Sequence, residues 1–225
     1  MGAGISEVLT FAVGVAISPV PIIAVILMLF SARAKVNGPM FLLGWVVALG
    51  VVSGVVYAAC DAAGAASSNT AIDTISWGKI VLGVLLLLLA ARNWRNRPAL
   101  GADTEMPKWM GSIDALTPVK ALGLGLLLAG VNPKNLLLTV GAASSLAQLG
   151  LTSTEAIVSL VVFVAVGSLT IAGPVIYYLV GGSRAETALQ ELKGWLAAHN
   201  NAVMAVLFLV FGVSLISKGI PPLTT

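Results

Sequence analysis

Six runs of mainly apolar residues, each long enough to cross a lipid bilayer, dominate this sequence of 225 residues. A membrane-spanning helix needs about 20 such residues, because the hydrocarbon core of a bilayer is about 30 Å thick. Only 9% of the residues are charged, whereas a soluble domain has roughly 25%. The chain is therefore predicted to be an all-α membrane protein with one transmembrane domain over residues 1–225. The predicted spans are 5–31, 39–60, 75–91, 119–147, 155–180 and 200–218.

The residue inventory argues against several functional classes. The chain has one cysteine, Cys60, and one histidine, His199, so a disulfide, a CxxC pair and a histidine-based metal cluster are not expected. Basic stripes with interleaved aromatics, typical of nucleic-acid binding, are absent. HExxH, serine-nucleophile and nucleotide-binding GxxxxGK[ST] motifs are also missing. We expect no enzyme activity, no cofactor and no metal. Residues 1–10 lack Lys and Arg and contain Glu7, so a cleaved signal peptide is not expected either.

One long polar connection, residues 92–118, divides the chain into a first half (1–91) and a second half (119–225) with three spans each. Within the second half, residues 183–198 are predicted to form a separate amphipathic helix in the membrane interface. Leu189, Leu192 and Leu196 share one of its faces, with Trp195 beside them.

Basic residues are concentrated on one side of this topology. The connections after spans one, three and five contain nine of the 12 Lys and Arg residues, whereas the opposite side has only Lys79 and Lys218. Because cytoplasmic loops are enriched in Lys and Arg, the connection 92–118 is predicted to be cytoplasmic and both termini to lie outside. The chain is thus expected to be a multi-pass protein of the plasma membrane.

Two short motifs in spans one and four align without gaps. Ser and Asn are favoured helix N-caps, and proline favours the first position of a new helix while breaking an existing one. Spans one and four are therefore predicted to be broken helices. Because each motif opens a half with three spans, the halves are predicted to be inverted repeats with a site near the membrane midplane. The aligned segments are Ile17-Ser18-Pro19-Val20-Pro21-Ile22-Ile23 and Val131-Asn132-Pro133-Lys134-Asn135-Leu136-Leu137.

Lys134 is the residue that most clearly indicates function, because a lysine deep in a membrane span is unfavourable by several kcal/mol and usually has a functional role. Half-helix N-termini are themselves partly positive, so we expect an anion beside Lys134. The structural alternatives are a tolerated proline kink, an Asn135 that bonds to a neighbouring helix, and a Lys134 that extends to the interface. The candidate substrate-binding residues are Lys134, Asn132, Pro133, Asn135, Ser18, Pro19 and Pro21.

Other candidates have weaker support. Asp61 is a candidate for a proton relay and Asp114 for the cytoplasmic entrance, although a solvated Asp61 and a surface pair of Asp114 with Lys120 are the simpler interpretations. The motifs Gly50-x3-Gly54 and Gly14-x3-Ser18 predict close helix packing.

Three segments together resemble the glycopeptidolipid-addressing protein (GAP) family, which is similar to the wider LysE exporter superfamily. These segments are Ser18-Pro19-Val20-Pro21, Trp109-x4-Asp114-x3-Pro118 and Asn132-Pro133-Lys134-Asn135. The resemblance implies export or positioning of cell-envelope lipids in actinobacteria. LysE-type exporters have Pro-Gly-Pro where this chain has Pro19-Val20-Pro21, which argues against an amino-acid substrate.

Three functions follow as expectations. The first is a transporter or flippase for an anionic envelope lipid or glycolipid, with membrane lipids as its partners. The second is a LysE-type exporter of small solutes such as amino acids, and the third is a non-transporting scaffold for a lipid export complex. A homo-oligomer and a larger export complex are the candidate assemblies.

Overall fold

The computed structural model describes residues 2–65, 69–96, 116–181 and 183–220; of residues 64, 65, 69–76, 183 and 184 it describes only the backbone. These residues form helices joined by short connections, with no strand in the described ranges. The helices are α1 (Gly2–Ala16), α2 (Pro19–Leu29), α3 (Ala34–Ala65), α4 (Asn69–Arg95), α5 (Pro118–Gly130), α6 (Pro133–Ala147), α7 (Ser153–Gly181) and α8 (Ser183–Gly219).

Four helices, α3, α4, α7 and α8, are each long and apolar enough to cross a membrane. The other four form two bent pairs, α1–α2 with a bend of 56° and α5–α6 with a bend of 60°. If each bent pair is one span, the chain has six, which is the predicted number. The predicted breaks in spans one and four are confirmed.

Part of the packing has the pairing that an internal repeat would give, whereas the extensive contact of α1 with α6 has only a slight counterpart between α5 and α2. The inverted repeat stays a prediction. If α1–α4 correspond to α5–α8, the extensive contact of α3 with α5 has its counterpart in the contact of α7 with α1. Likewise, α3 packs on α6 and α7 on α2, while α4 packs on α8 across the axis that would relate the halves. The inner helices α2 and α6 are buried along most of their length, so the second half of each bent pair lies in the protein interior.

Glycines permit the closest helix crossings. A Cβ on Gly44 of α3 would overlap the carbonyl oxygen of Leu122, and one on Gly125 of α5 would overlap that of Phe41. Gly83 and Gly212 face each other in the same way between α4 and α8, where added Cβ atoms would lie 2.7 and 2.9 Å from the opposite carbonyl oxygens.

Two details differ from prediction. Residues 183–198 are the first turns of the continuous helix α8 and not a separate helix, because no proline interrupts the chain between them and the last span. The interfacial position of these turns stays a prediction. The packing role predicted for Gly50 and Gly54 is wrong within the described part of the chain, where no atom of another helix lies within 4 Å of a Cβ added at either position.

The orientation stays a prediction that cysteine labelling can test. In a Cys60→Ala background, Ser68→Cys should react with a membrane-impermeant maleimide on intact cells, and Leu100→Cys should react only after permeabilisation. The physical reason is the excess of basic residues on the side of Leu100. Labelling of position 68 only in permeabilised cells would reverse the orientation.

Candidate functional site

The site is built at the two helix breaks, where two residues outside the helices precede each proline. Ser18 is extended (φ −118°, ψ 91°) and precedes Pro19, the first residue of α2. Asn132 (φ −57°, ψ 120°) precedes Pro133, the first residue of α6. Both new helices start alike, since the Ser18 carbonyl accepts from the Ile22 N–H at 3.1 Å and the Asn132 carbonyl from the Leu136 N–H at 2.9 Å.

The two caps then differ. The Asn132 side chain caps its own helix by accepting from the Lys134 N–H at 3.1 Å. The Ser18 hydroxyl makes no capping bond to α2 and instead donates to Asn135 Oδ1 at 2.8 Å. The sequence pattern predicts both residues as caps, but the structure uses Ser18 to join the two breaks.

Lys134 makes the central contact between the halves. Its ammonium donates to the Ile17 carbonyl at 2.7 Å and to Ser18 Oγ at 2.6 Å. Its side chain is 2% exposed, and Ser18 and Asn135 beside it are equally buried. The site is therefore closed, and the structure brings together three of the predicted residues, Ser18, Lys134 and Asn135.

The partners of Lys134 within the protein are neutral groups, and the expected anion stays a prediction. Ile17 follows the last residue of α1, and the carbonyl groups at a helix C-terminus carry a partial negative charge. A broken helix has a C-terminus as well as a new N-terminus. The carbonyl groups at the C-terminus of α1 therefore supply the partial negative charge that the positive start of α6 cannot. Among the described side chains, no carboxylate is hydrogen-bonded to Lys134. An ammonium has three N–H bonds, of which two have acceptors here, so one can bind a substrate oxygen.

Asn135 and Thr170 complete the site. Asn135 Nδ2 donates to the Leu128 carbonyl in the last turns of α5 at 2.9 Å. Thr170 Oγ1 of α7 donates to the Ala16 carbonyl of α1 at 2.5 Å. Thr170 was missed in the sequence, because a threonine in an apolar span has no pattern that indicates its partner. Four helices, α1, α5, α6 and α7, therefore hold the two breaks in contact.

The remaining predicted residues have other positions. Pro19 and Pro21 are buried and lack an N–H, so Val20 is the only backbone donor among the first three residues of α2. Asn132 is partly exposed and Pro133 exposed. Asp61 is exposed on the last turns of α3, and the structure does not bring it to the buried site. Asp114 lies outside the described residues. Among the described residues, no group of three His, Cys, Asp or Glu side chains could hold a metal ion.

Apolar grooves open on the outer faces of the helices. One of about 520 Å³ lies between α3 and α7, lined by residues that include Val46, Gly50 and Val161. Another of about 650 Å³ lies between α4 and α8, beside Trp94 and Leu209. These grooves face the region that lipid would occupy, and Lys134 lines neither of them.

Comparison with known proteins identifies a family. A family model described as Sap, sulfolipid-1-addressing protein, matches residues 8–221. No curated protein and no solved structure matches the chain. The match extends from α1 to the end of α8 and includes both helix breaks with their contact through Ser18, Lys134 and Asn135. The chain is a membrane protein that belongs to the family of Sap, the sulfolipid-1-addressing protein.

Proposed function

We propose that the protein is a transporter or flippase that moves an anionic envelope lipid across the plasma membrane, with Lys134 as the residue that binds the anionic head group. The observation that carries this proposal is a lysine, 2% exposed, that joins two helix breaks through hydrogen bonds to neutral groups. Such a lysine can bind an anion through its remaining N–H. Because a buried lysine is unfavourable in a membrane, it usually has a functional role. The family name supports a lipid substrate, because a sulfolipid head group is an anion.

The shape of the protein surface favours a lipid over a small solute. A lipid needs a place for its acyl chains at the side of the protein, and the grooves between α3 and α7 and between α4 and α8 are apolar and open laterally. A LysE-type exporter of amino acids would need a compact polar cavity sealed from lipid. The relationship to LysE exporters, the outside position of both termini and the absence of enzyme activity remain parts of the proposal.

A second function has its own support. Lys134 is closed off from solvent, and its bonds to Ile17 and Ser18 also serve to fix the two halves together. A scaffold that assists a larger lipid exporter without a path of its own would have such a site. A transporter in an occluded state would have it as well, so transport by the isolated protein is the property that separates the two functions.

The test is lipid movement in proteoliposomes. The full-length protein is reconstituted in phosphatidylcholine with a trace of a fluorescent sulfated glycolipid, and its unsulfated analogue serves as the matched control. A transporter should move the sulfated lipid between leaflets at least tenfold faster than protein-free vesicles, as measured by quenching of the outer leaflet. Absence of movement would favour the scaffold, and equal rates for both lipids would contradict an anion-binding role of Lys134.

A further inference from the structure

A second group of charged residues lies at the opposite end of α6 from the breaks, on the side of the chain termini. It consists of Glu7 of α1, Lys79 of α4 and Lys218 of α8, together with Gln148 at the C-terminal cap of α6. The side chain of Lys79 donates a hydrogen bond to Gln148 Oε1. Glu7 and Lys218 lie close enough for their charges to interact electrostatically with the Lys79 ammonium. We call these four residues the outer cluster.

Lys79 is buried although it is close to a helix end. It is 4% exposed, and its hydrogen-bond partner, an amide oxygen, is neutral. The bond fixes the orientation of the Gln148 amide, because an NH2 group cannot accept from an ammonium. Gln148 Nε2 is consequently directed elsewhere, and it is buried without an acceptor among the described atoms. Two donor groups, one of them charged, therefore lie together, and no described carboxylate is hydrogen-bonded to either of them.

The carboxylate of the outer cluster, that of Glu7, is already paired with a cation. Glu7 Oε1 contacts the Lys218 ammonium at 2.5 Å, and this ammonium also lies 5.1 Å above the Phe11 ring. Two cations and one anion leave the cluster with an excess of one positive charge. Of the other described carboxylates at this end, Asp61 is exposed on α3 and Glu155 caps the start of α7 with Thr152.

An apolar layer separates the outer cluster from Lys134. Phe11 and Phe211 stack with ring centroids 6.2 Å apart, and Leu138 and Leu215 are fully buried. Gly14 and Gly141 are closely surrounded in this layer, because a Cβ on Gly141 would lie 3.1 Å from both Phe11 and Leu215, and one on Gly14 would overlap the Phe211 ring. The outer cluster is thus chemically independent of the site at the breaks.

We propose that Lys79 and Gln148 form a second oxyanion site, which binds the sulfate or phosphate ester of a lipid head group on the side of the termini. Glu7 limits its affinity by competing for the cations. As a binding site, it stands on the geometry of the outer cluster alone. As the site from which a transported lipid is released, it rests on the proposed function.

The test is anion binding to the full-length protein in phosphatidylcholine nanodiscs, measured by calorimetry. Octyl sulfate is the probe, octyl glucoside controls for the alkyl chain, and sodium sulfate distinguishes a free anion from a head group. Lys79→Met should weaken octyl sulfate binding at least tenfold, since a bond to a charged group contributes about 1.5–3 kcal/mol. Lys35→Met is the control. It removes an exposed lysine at the start of α3, a residue outside the outer cluster, and should leave the affinity unchanged.

Glu7→Gln keeps the proposal testable even if Lys79→Met folds poorly. Removal of the competing carboxylate should raise the affinity for octyl sulfate severalfold, a gain that a purely structural role would not produce. Both variants are also measured in a Lys134→Met background, in which octyl sulfate no longer has a lysine at the helix breaks to bind, so the change in affinity reports on the outer cluster alone. Unchanged octyl sulfate affinity in both Lys79→Met and Glu7→Gln would overturn the proposal, whatever the transport assay shows.

Discussion

Replacement of Lys134 by methionine should reduce lipid transport at least tenfold in the proteoliposome assay. The substitution removes the only charged side chain that the described residues place at the helix breaks, and a hydrogen bond between an anion and a charged donor contributes about 1.5–3 kcal/mol. The protein should still fold and insert, because methionine has a similar length and suits a buried position. The Ile17 carbonyl loses a partner, but relief from burying a charge offsets this loss. Thermal denaturation in detergent should therefore show a change within a few degrees.

Two further variants serve as a control for this prediction and as a test of the role of the charge. Lys120→Met removes an exposed lysine from the first turn of α5 and should transport at the wild-type rate. Lys134→Arg keeps the charge but cannot release a proton, so partial activity would indicate anion binding and full loss would indicate proton coupling. Wild-type transport by Lys134→Met would contradict the assignment of Lys134 as the binding residue.

The fold follows from the sequence to a large extent, because membrane insertion makes apolar length a strong signal. The predicted breaks at Ser18-Pro19 and Asn132-Pro133 agree with the starts of α2 and α6. Proline restricts the backbone locally, so its effect can be predicted from neighbouring residues alone. The same local rule fails for the start of α8, where an amphipathic pattern gives the buried face but does not show whether the helix ends before the next span.

The site is less predictable, because its partners come from distant parts of the chain. Lys134 is identified by its own chemistry, but its partners are 116 and 117 residues away, and one of them is a backbone carbonyl. Every residue has a carbonyl, so no sequence pattern distinguishes that of Ile17. Lys79 was predicted only as a residue of the less basic side, and its burial depends on how α4 packs against the rest of the chain.

Glycine spacing predicts close contacts poorly for a related reason. The pattern Gly50-x3-Gly54 places two small residues on one face of α3 but does not determine which face meets another helix. The close crossing of α3 with α5 is instead at Gly44, with Gly125 of α5 opposite. The crossing of α3 and α5 is therefore known only from the structure, and it leads to a strong prediction about stability.

Gly125→Ala should destabilise the protein by about 1–3 kcal/mol or more, the usual effect of overpacking a tight interface. The added methyl group would overlap the Phe41 carbonyl oxygen, and a backbone atom cannot rotate away as a side chain can. The two helices must therefore separate, although alanine favours a helix over glycine by about 1 kcal/mol.

Gly123→Ala is the matched control, because it lies on the same helix two residues earlier and its added Cβ would have no neighbour within 4 Å. It should gain the helix propensity without the overlap and denature at or above the wild-type temperature. The two variants therefore contain the same substitution with opposite expected signs, and the measurement is their thermal denaturation in the same detergent, followed by size-exclusion chromatography of the heated samples. Equal stability of Gly125→Ala and Gly123→Ala would show that α3 and α5 do not cross as closely as Gly44 and Gly125 indicate.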